Sequence, residues 1–150
     1  MTNKLFTFIS KLKAELKGLS TFNKVGEYPS DVDMARSDGN APSILIQEGD
    51  ENLAEIQQNM SLNKSVRVSL WLYHDTDKSR IKTITDRQVE IETAVLASAF
   101  LTTSGAFCIE WNSVEKGEYM DEFTGHSVGY NNKKMLRKIN LDVTLDIGRD

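Results

Sequence analysis

The sequence predicts an α+β domain. The expected fold is a mainly antiparallel sheet carrying two packed helices, one N-terminal and one near residues 85–102. A long loop near 20–43 and a hairpin near 107–130 complete it. Three patterns predict this. "KINLDVTLDI" at 138–147 alternates strictly, with Ile139, Leu141, Val143, Leu145 and Ile147 on one side and Lys138, Asn140, Asp142, Thr144 and Asp146 on the other. "SVRVSLWLYHD" at 65–75 alternates in the same way. Leu5, Ile9, Leu12, Leu16 and Leu19 recur at steps of four and three, the stripe of an amphipathic helix. Helix, strands, helix, strands is the element order of helices packed on an antiparallel sheet.

The first helix has Lys4, Lys11, Lys13 and Lys17 against Glu15 on its polar side, and Gly18 with Ser20 marks its end. Its opening resembles a signal peptide, but Lys11, Lys13, Glu15 and Lys17 interrupt the apolar run too early for a secretory segment. Docking on a sheet is expected for this helix, ahead of lying on a membrane surface. Residues 20–43 are dense in turn formers (Gly26, Pro29, Ser30, Asp31, "SDGN" at 37–40, Pro42) and have room for a short strand around Phe22 to Val25. Ile44 to Ile46 form a short apolar burst before a Gly-Asp turn, and Leu53 to Met60 read equally as helical turn or loop.

In the 65–75 strand, Val66, Val68, Leu70 and Leu72 share one face. Arg67, Ser69, Trp71 and Tyr73 share the other. The two aromatics there are either covered by another element or exposed as an adhesive patch. Thr85 with Gln88 makes a capping box, and Ile84 with Val89 occupies the staple positions, so a helix is expected to start at Thr85 and run to about Leu101, with Gly105 as its stop. Ile91, Ala94, Val95 and Ala99 give it a small-residue face. Phe107, Ile109 and Trp111 alternate as a strand, Glu115-Lys116-Gly117-Glu118 reads as a hairpin tip, and Gly125 and Gly129 weaken the return.

A chain of 150 residues is expected to be one domain spanning 1–150. Such a chain buries roughly 70% of the surface it exposes unfolded. With 39% apolar and 27% charged residues it has the composition of a folded globular domain. A net charge of −4 argues against a broad basic face gripping nucleic acid, yet leaves open a polymer that passes through a hole in an assembly. Cys108 stands alone between Phe107 and Ile109 and reads as a small buried hydrophobe in a reducing compartment. No apolar run approaches the ~20 residues that span a bilayer.

Candidate chemistry is sparse. "HDTD", with His74, Asp75 and Asp77, is the stretch closest to a metal or acid–base site. One histidine with two aspartates falls short of a zinc or nuclease set. His126 belongs to a separate glycine-flanked segment. There is no GxSxG elbow and no phosphate-binding glycine loop. No metal, cofactor or enzymatic activity is expected. Lys133, Lys134, Arg137 and Lys138 enter the last strand while Asp142, Asp146 and Asp150 leave it, a polarity matched either by an internal neighbour or by another subunit.

Taken in order, the N-terminal amphipathic helix, the long loop, "PSILIQEGDE", "VRVSLWLYHD", the helix "DRQVEIETAVLAS", a hairpin and the final alternating strand resemble the tail terminator, or tail-completion, proteins of long-tailed bacteriophages. The resemblance is one of organisation over nearly the whole chain. It implies a homo-oligomeric ring, usually of six subunits, seated on the tail tube at the tail–neck junction of the virion. Such a ring ends tube polymerisation and offers a surface to the head–tail connector protein. It implies the tail tube protein, the connector and the chain itself as partners, DNA only as passing cargo, and no membrane. The acidic balance would suit a lumen through which DNA slides without adhering. Trp71, Tyr73, Asp142 and Asp146 are the expected subunit-interface residues, unless the 85–101 helix covers the aromatics and water covers the acids. The alternatives are another head–tail connector or neck protein, and a small ligand-binding or metal-dependent domain using the His74-Asp75 region.

Overall fold

A computed structural model of the chain describes residues 3–36, 42–53, 63–75, 80–118 and 134–146. The elements are α1 (Lys4–Gly18), β1 (Lys24–Glu27), α2 (Val32–Arg36), β2 (Ser43–Leu53), β3 (Asn63–Asp75), α3 (Arg80–Val95), α4 (Ser98–Ser104), β4 (Cys108–Glu118) and β5 (Lys134–Asp146). The five strands form one sheet in the order β1-β2-β3-β5-β4. The β1–β2 pair is parallel and the other pairings are antiparallel. The α+β architecture expected from the periodicities is therefore the one observed.

The two faces of the sheet divide the molecule. Val66, Val68, Leu70 and Leu72 of β3 alternate onto one face, where all are fully buried. They pack with Ile44 and Ile46 of β2, and with Ile139, Leu141, Val143 and Leu145 of β5. Over this helix face lie Phe8, Leu12 and Leu16 of α1, Ile84, Ile91 and Val95 of α3, and Phe100 of α4. Complete burial of each such side chain is worth about 1.5–3 kcal/mol. The α1 stripe centres on Phe8, with Leu5, Ile9 and Leu19 only partly buried beside it. Asn3 starts that helix by accepting the Phe6 amide at 3.0 Å. At its end the left-handed residue is Ser20, φ 58°, rather than Gly18.

The helix expected from Thr85 to Leu101 is two helices, and it begins earlier. Arg80 opens α3, so Thr85 lies in its interior and the capping box does not form there. The pattern needs Ser/Thr and Glu/Gln at the right interval, and an exposed helix surface supplies that by chance. Burial of Ile84 carries the helix N-terminally past the local signal. Val89 is 49% exposed, which rules out a staple. A break at Ala97, extended at φ −69° and ψ 140°, re-aims the chain so that Phe100 of α4 meets Phe8 of α1 at 6.1 Å between ring centroids. Ala99 is thereby left exposed. Gly105, φ 76°, ends α4 as expected.

Within the 20–43 segment a strand and a short helix emerge. β1 pairs with the start of β2, and Asp31 closes the turn beyond it, accepting the Glu27 amide at 2.8 Å while its own amide donates to the Glu27 carbonyl. The Asp31 carboxylate occupies the space where a Cβ on Gly26 would stand, 2.5 Å away. The tetrapeptide Glu115 to Glu118 is not a turn. It continues β4 against Lys138 to Met135 of β5. An irregularity between Trp111 and Ser113 restores the alternation, so Ile109, Trp111 and Val114 all join the helix-face core. The expected turns near 37–40 and 119–130, the segment 54–60, and Asp77, His126 and Lys133 lie outside the described residues.

These contacts set a contrast between two glycines. Gly26→Ala is expected to lower stability by about 1–3 kcal/mol, because the added methyl displaces Asp31. Gly18→Ala, with nothing within 4 Å of its Cβ position, is expected to leave stability unchanged or raise it by less than about 1 kcal/mol. Urea denaturation of both variants checks this.

Candidate functional site

The other face of the sheet is where the sequence placed its expected contact residues, and it has two unlike halves. At one end Leu45, Trp71 and Tyr73 form a second, small core with Val32 and Ala35 of α2, joined by Tyr28, Met34 and Leu136. Trp71 is 6% exposed and Tyr73 2%. Tyr28 stacks on the Trp71 ring at 4.3 Å and 4°. Lys138 stands 4.8 Å from the same ring, a cation–π contact. The indole N–H donates to the Gln47 side-chain oxygen at 2.8 Å. The aromatics are thus covered, and the cover is α2 with Tyr28 rather than the 85–101 helix. In the folded chain they present no adhesive patch.

The other half, over β3, β5 and β4, is a polar ladder. Ser69 donates to Asn140 Oδ1 at 2.7 Å, and the Asn140 amide donates to Ser113 at 3.1 Å and to Glu115 at 3.0 Å. Arg67 Nε donates to Asp142 Oδ1 at 2.8 Å, and Asn112 donates to Asp142 Oδ2 at 2.8 Å. Lys138 reaches Glu115 at 3.8 Å. Asn140 is 4% exposed and Ser69 3%, so these hydrogen bonds replace lost water contacts. Asp142 and Asp146 are half-buried, and Asp146 is also engaged. Among the described residues two charges of β5 find partners inside the chain: Asp142 on Arg67, and Lys138 on Glu115 and over the Trp71 ring.

Beneath the helix layer, Arg137 is 5% exposed and donates to the Gln88 oxygen of α3 at 2.6 Å. Gln88 in turn donates to Glu92 at 3.0 Å. Loss of hydration lowers the Arg137 pKa from its ordinary value, yet a guanidinium stays charged in proteins. An amide at position 88 accepts from one neighbour and donates to the other, a task a carboxylate could not perform. No sequence pattern singled out this bridge.

Of the His74 stretch, the Asp75 side chain and Asp77 lie outside the described residues. His74 is 7% exposed and engaged at the end of β3. Among the described residues no group of three or more His, Cys, Asp or Glu side chains converges. Cys108 is half-exposed on the ladder face rather than buried, because the register sends Ile109 inward instead. Partial burial pushes its thiol pKa up, and Glu110, whose Oε1 lies 3.9 Å from Sγ, pushes it the same way. No described helix is long and apolar enough to cross a membrane.

The sheet edges differ. β4 is an eleven-residue edge strand with β5 as its one neighbour among the described residues. At the opposite edge β1 has four residues and stops at Glu27, while β2 runs on. In the notch so formed lies a hollow lined by Ile9, Glu27, Tyr28, Ile46 and Glu48. The sequence offered no signal for this hollow, which depends on where β1 ends.

Asn140→Ala is expected to cost about 1–3 kcal/mol by leaving buried partners unpaired, whereas Arg67→Ala, whose side chain is 40% exposed, stays within about 1 kcal/mol. Thermal unfolding distinguishes the two. With its pKa raised, Cys108 alkylates slowly near neutral pH and faster as pH climbs through the alkaline range; Glu110→Gln is expected to speed alkylation severalfold at fixed pH. Comparison of the chain with models of known protein families and with curated proteins found no match.

Proposed function

We propose that the chain is a bacteriophage virion assembly protein that forms a ring on the end of the tail tube, stops tube growth and presents a surface for head attachment. The observation that carries this reading is the division of the sheet. One face is sealed by α1, α3 and α4, while the β3-β5-β4 half of the other is a hydrogen-bonded polar ladder ending in the long edge strand β4. A subunit of this kind works by surface complementarity. It buries most of its apolar side chains in two cores and offers other subunits a hydrogen-bonded polar face and an edge strand that has one strand neighbour among the described residues. The resemblance in element order to tail terminator proteins supplies the kind of assembly. Tail tube protein and head–tail connector are then its partners above and below the ring, and DNA its passing cargo. The acidic balance of the chain fits that passage, since cationic contacts to phosphate create affinity.

Multi-angle light scattering and negative-stain microscopy of the purified chain test this. Closed rings of one size are expected, and tail tubes assembled without the chain should overrun their normal length. A strict monomer at all concentrations, with tube length unaffected by its presence, overturns the reading.

A further inference from the structure

The net charge of the whole chain conceals a segregation. Residues 1–24 hold five lysines, no arginine and one acid, Glu15, so the remainder carries more than the whole of the −4. Four of those lysines belong to α1. Phe8, Leu12 and Leu16 fix which side of the helix is buried. Its 3.6-residue turn then sends Lys13 and Lys17 to one flank of the solvent face, and Lys4 and Lys11 to the other. Ser10 and Ala14, both short and both exposed, run between the two rows. Lys11 and Lys17 are exposed, and Lys4 and Lys13 are half-exposed. Among the described residues the cations in ion pairs are Lys64, Arg67, Arg87 and Lys138, and no lysine of α1 is one of them. Lys116 also stands outside those pairs, but it lies on β4 with Glu110, Glu115 and Glu118. In no described element other than α1 do Lys and Arg exceed Asp and Glu by more than one.

We infer that the solvent face of α1 binds duplex DNA, its two lysine rows reaching the two phosphate strands that border one groove. Three observations select this partner. First, the cations are all lysines. Protein interfaces favour arginine and are depleted in lysine, whereas a flexible point charge suits phosphates contacted without regard to sequence. Second, the apolar side of α1 lies in the core. Phe8, Leu12 and Leu16 are wholly buried, so apart from Phe6 the helix has no apolar face to insert among lipid headgroups. Third, the lysines flank the solvent face and leave its crest uncharged. A flat anionic surface would meet Ser10 and Ala14 first, while a groove sets a phosphate strand on either side of them. The major groove of B-form DNA, about 12 Å wide, matches a helix about 10–12 Å across; that of duplex RNA is too narrow for side chains to read. Glu110, Glu115 and Asp142 stand on the opposite side of the sheet from α1, so this acidic surface does not face the same duplex. The inference concerns one helix of one copy and does not rest on the ring reading.

The test titrates the full chain into a labelled duplex of roughly 20 base pairs and arbitrary sequence, read by fluorescence anisotropy. Four phosphate contacts give a log–log salt slope of about −3.6, so binding should weaken roughly a hundredfold between about 50 mM and 200 mM salt. Lys11→Glu/Lys17→Glu should weaken binding about tenfold or more at the lower salt. Lys64→Glu/Lys116→Glu, which alters the net charge equally, should bind as wild type does. Thermal midpoints confirm that both variants fold. A single strand of the same length should bind several-fold more weakly, because it offers one backbone to two lysine rows. Absence of duplex binding at the lower salt, equal loss in the two double variants, or equal binding of the single strand each overturns the inference. Binding to phosphatidylserine vesicles without binding to the duplex overturns it too, and assigns the face to a membrane surface.

Discussion

Everything in this molecule depends on β3 being buried from both sides. Its even-numbered residues Val66 to Leu72 hold three helices to the sheet. Its odd-numbered residues Trp71 and Tyr73 hold α2 and Tyr28 on the reverse. Only toward Ser69 and Arg67 does the reverse side turn polar, and there the strand is tied to β5 by hydrogen bonds rather than apolar contact. One strand thus sets which half of the outer face is core and which is a polar ladder. Because side-chain direction alternates with period two, a one-residue slip of β3 would turn all four aliphatic residues away from the helix layer and put Arg67, Ser69, Trp71 and Tyr73 beneath it. The register is fixed by that cost.

The polar ladder follows from the same alternation. Ser69, Asn140 and Ser113 stand on three adjacent strands at matching register, so one asparagine can serve neighbours on both sides. Its amide has two donors and an acceptor with two lone pairs, and the structure engages both ends. A face satisfied in this way needs no apolar cover. Its hydrogen bonds are closed within the chain before it meets water or another polar surface.

The fold was legible where periodicity is long and strict. The alternations in β3 and β5 assigned Val66, Val68, Leu70 and Leu72, and Ile139, Leu141, Val143 and Leu145, to their observed face, and the stop at Gly105 follows from its backbone freedom. Local signals did less well. Thr85 and Gln88 satisfy a capping pattern inside a helix whose length is decided by burial of Ile84 against the sheet. Glu115 to Glu118 look like a turn because they are polar, but an edge strand is solvated and tolerates that composition. The cover over Trp71 and Tyr73 was not legible, since Val32 and Ala35 carry no extended period and reach the aromatics through a turn closed by Asp31.

The doubly buried β3 and the edge strand β4, with β5 as its one neighbour among the described residues, differ most in how their amides should be protected. Amide hydrogen exchange on the chain, dilute and concentrated, reports both at once. The β3 amides are expected to be the slowest to exchange under either condition, and β4 is expected to gain protection as concentration rises. Rapid exchange along β3 in the dilute chain, or a β4 edge indifferent to concentration, would contradict these expectations.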